Sequence, residues 1–335
     1  MTTMKRRTFH ALAATALLAG TTRIASAQGP GARPMTLVVP YPAGGLSDAI
    51  ARVVERPLAK AVGQMVIIEN IGGVGGAIAA QKVLGGALDG GAIYQGSPNE
   101  LILTPMALQA ARYRAEDWRL VQMIGSFPLA VLARKGLPAN DIDELVALAR
   151  KAHAAGKPLS YASVGVGSLY HLLGAHFANS IGVQMTHVPY KGAAPAMQDL
   201  AGDQVDVAFI VVGESGIAMA QQGRLKVLAT LAPAGKVEAA FLKGYPSINE
   251  SKSVHDFAFN TWTGYFVPKS TPEPVARALN QSLSVAIGDP EVKAQIEKLG
   301  GTVPPMMTLE AAAKEYESQT ARFRAIAKSV KLEPL

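Results

Sequence analysis

The chain has 335 residues, a formal charge of +7, 49% hydrophobic residues and no cysteine. The missing thiols exclude disulfides, cysteine nucleophiles, zinc–thiolate sites and iron–sulfur clusters. Basic residues are not gathered into blocks with interleaved aromatics, which argues against a nucleic-acid partner, and no apolar run beyond residue 27 reaches the ~18 residues of a membrane-spanning helix.

Residues 1–27 read as a secretory signal peptide, with Lys5-Arg6-Arg7, an apolar run over 11–19 and the small-residue site Ala25-Ser26-Ala27. Arg6-Arg7-Thr8-Phe9 also fits a twin-arginine signal, so two export routes stay open, both ending outside the cytoplasm. Removing 27 residues leaves 308, enough for two domains with their own cores. The segment takes four basic residues and no acidic one, so the charge falls from +7 to +3, a mild bias towards anionic ligands.

Strand patterns at 37–41, 65–69 and 92–95 are each followed by a helical stretch, which predicts a parallel sheet with helices on both faces. In the first helix Ile50, Val53, Val54 and Leu58 recur at helical spacing, Asp48 precedes Arg52 by four, and Pro57 predicts a kink or break. Residues 120–133 are too long and mixed for one ordinary strand, and predict a crossing between sheets around Ser126-Phe127-Pro128. A second series follows: strands at 159–162, 184–188, 205–211 and 225–230, and helices at 142–154, 168–179, 195–201 and 216–221. A strand at 257–267 and helices at 274–287, 291–299 and 309–329 end the chain. The expected organisation is a discontinuous first domain, 28–125 plus 231–335, with a second domain, 126–230, inserted in it. The cleft between them faces the carboxyl ends of strands, where open α/β sheets bind ligands.

The stretch VVPYPAGGLSDAIAR, residues 38–52, runs from strand through a Gly-rich loop into a helix start, a ready anion site made of backbone N–H groups. YASVGVGSLYHLL, residues 161–173, repeats the arrangement in the second domain, with Ser163, Gly165, Gly167 and Ser168 as donors. His171 sits one turn into that helix and reads as a neutral hydrogen-bonding residue. HVPYKGAAPAMQDL, residues 187–200, is a third strand–loop–helix junction carrying Tyr190 and Lys191, with His187 read as structural. Gly72-Gly73-Val74-Gly75-Gly76 lacks the third glycine of a dinucleotide fingerprint and reads as a tight turn. Catalytic signatures are missing: Gly213-Glu214-Ser215-Gly216 fails the nucleophile elbow, and His171 and His176 are wrongly spaced for a metal pair. No cofactor and no metal is expected.

Together VVPYPAGGLSDAIAR, GQMVIIENIGGVGGAIAA, YASVGVGSLYHLLGAHFA, HVPYKGAAPAMQDLAGDQVDVAF and WTGYFVPKSTPEPVARALN resemble the Bug family, the periplasmic solute-binding receptors of tripartite tricarboxylate transporters. The resemblance implies an α/β protein with the type II periplasmic-binding-protein fold. Its two domains close on a small, carboxylate-bearing solute, which is delivered to the membrane permease subunits of the transporter. It also implies a periplasmic location, and a monomer is expected. Carried over, it points to Tyr41, Ala43, Gly44 and Asp48 on one side of the ligand and Ser163, Gly165, Gly167 and Ser168 on the other, with Ser97 and Phe127 as walls. His171 and Tyr190 stand as further candidates, and Asp206 either reaches the cleft or orders a neighbouring loop. Leu88-Asp89-Gly90-Gly91-Ala92 and Ala175 depart from the family pattern. Two other readings stay open: a receptor that passes its liganded state to a signalling partner, and an exported serine hydrolase using Ser163 or Ser168 with His171.

Overall fold

Strand β1 (Met35–Val39) is a short, almost wholly buried apolar run that pairs in parallel with β2 (Val66–Asn70) on one side and β3 (Ala92–Gly96) on the other. This computed structural model describes residues 33–329 except Glu238, so the expected signal peptide lies outside the described residues. Between β1 and β2 runs helix α1 (Leu46–Val62), which buries Ile50, Ala51, Val54 and Leu58 on one face. That stripe meets Leu37, Val39, Ile93 and Tyr265 in one apolar cluster. The helix passes through Pro57 without a break and stops at Gly63, whose φ of 68° reverses the chain. Burial of Val54 and Leu58 on either side of the proline holds the turn that its missing N–H weakens.

Helix α2 (Ala77–Leu84) completes the first βαβαβ unit. Strand β4 (Trp118–Arg134) then crosses between two sheets in one continuous piece. Its first part pairs antiparallel with β9 (Asn260–Pro268), with register shifts between Leu120 and Gln122 and between Met123 and Gly125. Its last part pairs antiparallel with β7 (Val207–Val211) and β8 (Leu225–Thr230). Such irregularities bend and over-twist a strand, which lets one run of residues serve two sheets. The length that looked excessive for one strand is thus spent on the crossing.

The second sheet adds β5 (Ser160–Ser163), parallel to both β6 (Thr186–Pro189) and β7. Helices α3 (Ile142–Ala154), α4 (Leu169–Ser180), α5 (Ala193–Ala201) and α6 (Glu214–Gln221) alternate with its strands. Both sheets are mixed: the crossing strands β4 and β9 run antiparallel to their neighbours, while the βαβ strands are parallel as expected. The chain ends in α7 (Glu273–Gly288), α8 (Pro290–Lys298) and α9 (Leu309–Ser329), which return to the first sheet. Leu283, Ile287 and Ile296 join the cluster beneath α1, and Tyr316 and Phe323 of α9 pack on the other face. The result is two α/β lobes joined by β4 and β9. Among the described residues no helix is long and apolar enough to cross a membrane.

Candidate functional site

A cavity with about 590 Å³ of empty space, mouth included, opens between the lobes. The first lobe contributes Tyr41, Ser97, Asn99 and residues 45–47; the second contributes Val164, Tyr170 and residues 192–195. Phe127 and residues 261–263 of the crossing strands form its floor. Among the described residues no Lys, Arg, His, Asp or Glu side chain lines it. Beyond its mouth the cleft widens into a groove that includes Gly44 and Met197.

Two helices open into this neutral space, and each is capped by a glycine. The N-cap of α1 is Gly45 and that of α5 is Gly192, and neither receives a side-chain cap. Helix geometry leaves the N–H groups of Leu46, Ser47, Ala193 and Ala194 without intrahelical acceptors. Three other helices silence their own starts, Ser168, Asp141 and Asp289 each accepting a backbone N–H of the helix they begin, while α2, α6 and α7, none of whose starts lines this cavity, also have no side-chain cap. A helix start with free N–H groups and a positive dipole end is an anion site. The two are set close across the cleft, since a Cβ built on Gly192 would lie 3.1 Å from Cδ of Pro42.

The surrounding residues hold these loops in shape. The N–H of Gly44, at φ 88°, donates to Asp48 Oδ2 at 3.0 Å, and Arg52 Nε donates to the same oxygen at 3.0 Å. Burial raises the Asp48 carboxyl, but the Gly44 N–H and Arg52 outweigh it and the pKa falls below the usual carboxylate range. Asp48 therefore braces the loop, and its pair with Arg52 is half-sunk, with the carboxylate buried and the guanidinium exposed. Tyr41 donates its hydroxyl to Glu100, a fully buried carboxylate that also accepts the Ser97 N–H at 2.7 Å. Burial pushes Glu100 up to about 7. Glu100 belongs to a π-helical turn, Asn99–Leu103, a distortion that turns wall residues inward. Its neighbour Asn99 reaches across the cleft, accepting the Leu169 N–H at 2.7 Å.

The Gly-Ser loop of the second lobe spends its donors on itself. Gly165 N–H donates to Ser163 Oγ at 3.1 Å, Ser168 Oγ to Gly165 O at 2.7 Å, and Gly167 N–H to Nδ1 of His171 at 3.1 Å. Gly165 and Gly167 face the first lobe: a Cβ on Gly167 would lie 2.1 Å from Ala107 Cβ, so the loops meet only with glycine there, while a Cβ on Gly165 would make an ordinary 3.6 Å contact with Gly75 Cα and it is its φ of 140° that favours glycine. Neither these glycines nor Ser163, Ser168 and His171 line the cavity. His171 is depressed by burial and stacks 4.0 Å from His187, itself lowered to about 4 by burial and the His171 charge. Ser163 Oγ lies 2.6 Å from Nε2 of His187, not of His171, and donates to Gly165 O at 3.0 Å. With an N–H, an imidazole and a carbonyl around it, this buried hydroxyl is fully used.

Of the residues singled out in the sequence, Tyr41, Ser97 and Phe127 stand in the cavity wall. Ala43 is exposed, Gly44 lies in the outer groove and Asp48 is behind the loop. Tyr190 donates to Asp199 at 2.8 Å outside the cavity. Asp206 is held away from the cleft by Arg134 Nε at 2.9 Å and by the Ser160 N–H and hydroxyl, so it orders the neighbouring strand ends. Asn99, Tyr170, residues 192–195, Thr261 and Trp262 were not singled out. For 192–195 a signal existed: Gly192 precedes a helical pattern and has no side chain with which to cap it.

Residues 50–332 match the tripartite tricarboxylate transporter family receptor profile. BugT of Bordetella pertussis is 30% identical over 288 residues, covering 83% of each chain. MatC from Rhodopseudomonas palustris, solved with bound malate, superposes with a TM-score of 0.79 at 27% identity, covering 88% of this chain and 99% of that one. A second R. palustris protein, solved with adipate, gives 0.82 at 26% identity, covering 91% and 99%. With the cleft architecture described above, these matches show that the chain belongs to the Bug family of tripartite tricarboxylate transporter receptors and has the two-domain α/β fold of periplasmic binding proteins.

Proposed function

We propose that this chain is a periplasmic receptor whose lobes, 28–125 plus 231–335 and 126–230, close on a small organic anion. It then delivers that anion to the permease subunits of a tripartite tricarboxylate transporter. The observation that carries this reading is a cavity free of charged side chains among the described residues, with two glycine-capped helix starts facing into it. A carboxylate is attracted there by main-chain dipoles and needs no lysine or arginine. Asp48 is committed to Gly44 and Arg52, so the cavity offers no counter-charge for an ammonium, and a simple mono- or dicarboxylate is favoured over an amino acid. The malate and adipate of the two R. palustris proteins are ligands of that kind. The saturated Ser163–His187 contact, with no carboxylate on the imidazole among the described residues, supports capture over catalysis.

Calorimetry on ligand-stripped protein with malate, succinate, adipate and their neutral amides tests the proposal. One carboxylate binds saturably, its amide does not, and at one hundred times Kd the fold gains about 2.7 kcal/mol. Binding of the amides as tight as that of the acids would contradict it.

A further inference from the structure

Glu100 is fully buried in the turn Asn99–Leu103, and its carboxylate is held by two residues of the cavity wall. One oxygen accepts the Tyr41 hydroxyl and the other accepts the Ser97 N–H at 2.7 Å. Asn99, also in the wall, donates its Nδ2 to the Tyr41 oxygen at 3.4 Å and accepts the Leu169 N–H of the other lobe at 2.7 Å. The carboxylate therefore stands one hydrogen bond behind the cavity, on a turn tied to both lobes. A charge in that place acts on an anion in the cavity through protein, where solvent and salt screen it little.

The elements packed around Glu100 bring it no positive charge. It meets Tyr41 from the β1–α1 loop, Tyr94 from β3, Tyr170 from α4, and Tyr113, whose hydroxyl donates to the Glu100 carbonyl. Burial first, and then the Glu100 carboxylate, raise these phenols, so all of them stay neutral. Tyr316 of α9 faces Tyr94 and Tyr113, and Gly76 at the start of α2 packs so closely on the Glu100 side chain that a Cβ would not fit. Among the described residues no lysine, arginine or histidine pairs with Glu100. Burial leaves this carboxyl half-charged near pH 7, and an anion brought to the other side of the wall is a like charge that raises it further. We propose that Glu100 takes up one proton as the cavity takes its anion, so that ligand capture is proton-linked and Glu100, a positioning residue, sets the charge behind the ligand without touching it. The inference rests on the carboxylate reading of the cavity given above. The proton comes from solvent and adds to one carboxylate oxygen, no other covalent bond changes, and the complex holds one ligand anion beside a neutral carboxyl. By reciprocity, the protein with protonated Glu100 binds the anion more tightly, and affinity falls as pH rises through 7.

The test is calorimetry of the intact, ligand-stripped protein with malate, succinate and adipate, in buffers of different ionisation heat, so that proton uptake is read from the dependence of the observed heat on the buffer. The best binder should bring about half a proton with it at pH 7, where free Glu100 is half-ionised, and should bind at least ~5-fold more weakly at pH 8.5 than at pH 6.5. Glu100→Gln keeps the shape and stays neutral, so it should bind equally well at both pH values and take up no proton. Infrared difference spectra of the wild type need no variant: ligand added at pH 8 should increase the carbonyl band of a protonated carboxyl. Binding without proton uptake, with an affinity flat in pH, would overturn the inference and leave the carboxylate reading standing. Proton uptake that persists in a folded Glu100→Gln protein would overturn it too. Failure of all three acids to bind at any pH would bring down the carboxylate reading and this inference together.

Discussion

Gly45→Asp sets folding and binding against each other. Gly45 has φ −88° and ψ 176°, the extended conformation of a helix N-cap, and a Cβ there meets nothing nearer than Pro42 O at 4.0 Å. An aspartate fits and caps α1, adding a few tenths of a kcal/mol over glycine. The same carboxylate takes the N–H groups proposed for the ligand and places a charge beside it. At ~4 Å and an effective dielectric of ~20 the repulsion is about 4 kcal/mol, or roughly a thousandfold in affinity. Gly45→Asn occupies the N–H groups without the charge and should cost about 2 kcal/mol, near the worth of one hydrogen bond to a charged group. Calorimetry of both variants and wild type with the best carboxylate, beside thermal melts of the free proteins, reads both effects. A folded Gly45→Asp protein that binds within about threefold of wild type would refute the backbone grip.

Gly192→Val brings a side chain against Pro42 across the cleft, 3.1 Å from its Cδ at the first atom, and should weaken ligand binding by about tenfold or more, ~1.4 kcal/mol, measured by calorimetry. Glu100 is raised to about 7 by burial, so the folded state holds its proton more tightly than the unfolded chain. Its contribution is complete below the ordinary carboxylate range and is lost as pH rises towards 7, by about 3 kcal/mol. Glu100→Gln should flatten that part of the stability profile in urea unfolding at pH 5 and pH 7.5. Leu58, fully buried under the first sheet, should cost about 2–5 kcal/mol when cut to alanine, read as a lower denaturation midpoint.

Much of the fold was legible because its signals are local. Apolar spacing in α1 and α7, and the strand–loop–helix alternation of both lobes, depend on neighbours a few residues apart. The antiparallel joining of β3 to β9 depends on residues far apart in sequence, so alternation alone predicted a purely parallel sheet. The same limit hid Glu100, whose partner Tyr41 is 59 residues away, and hid Asn99, which meets Leu169 from the other lobe. The two second-lobe junctions looked alike, and YASVGVGSLYHLL seemed the stronger partner for the opening loop. What separates them is the capping residue: Ser168 closes its own helix start, whereas Gly192 leaves one open. That distinction is written in the sequence, but its meaning depends on which helix faces the cleft.

The most direct test of the central claim is a crystal structure of the protein with its best-binding dicarboxylate. Carboxylate oxygens should lie ~2.7–3.1 Å from the main-chain N–H groups of Leu46 or Ser47 on one side and of Ala193 or Ala194 on the other, with no lysine or arginine in contact. A ligand held by a cationic side chain, or seated away from both helix starts, would contradict it.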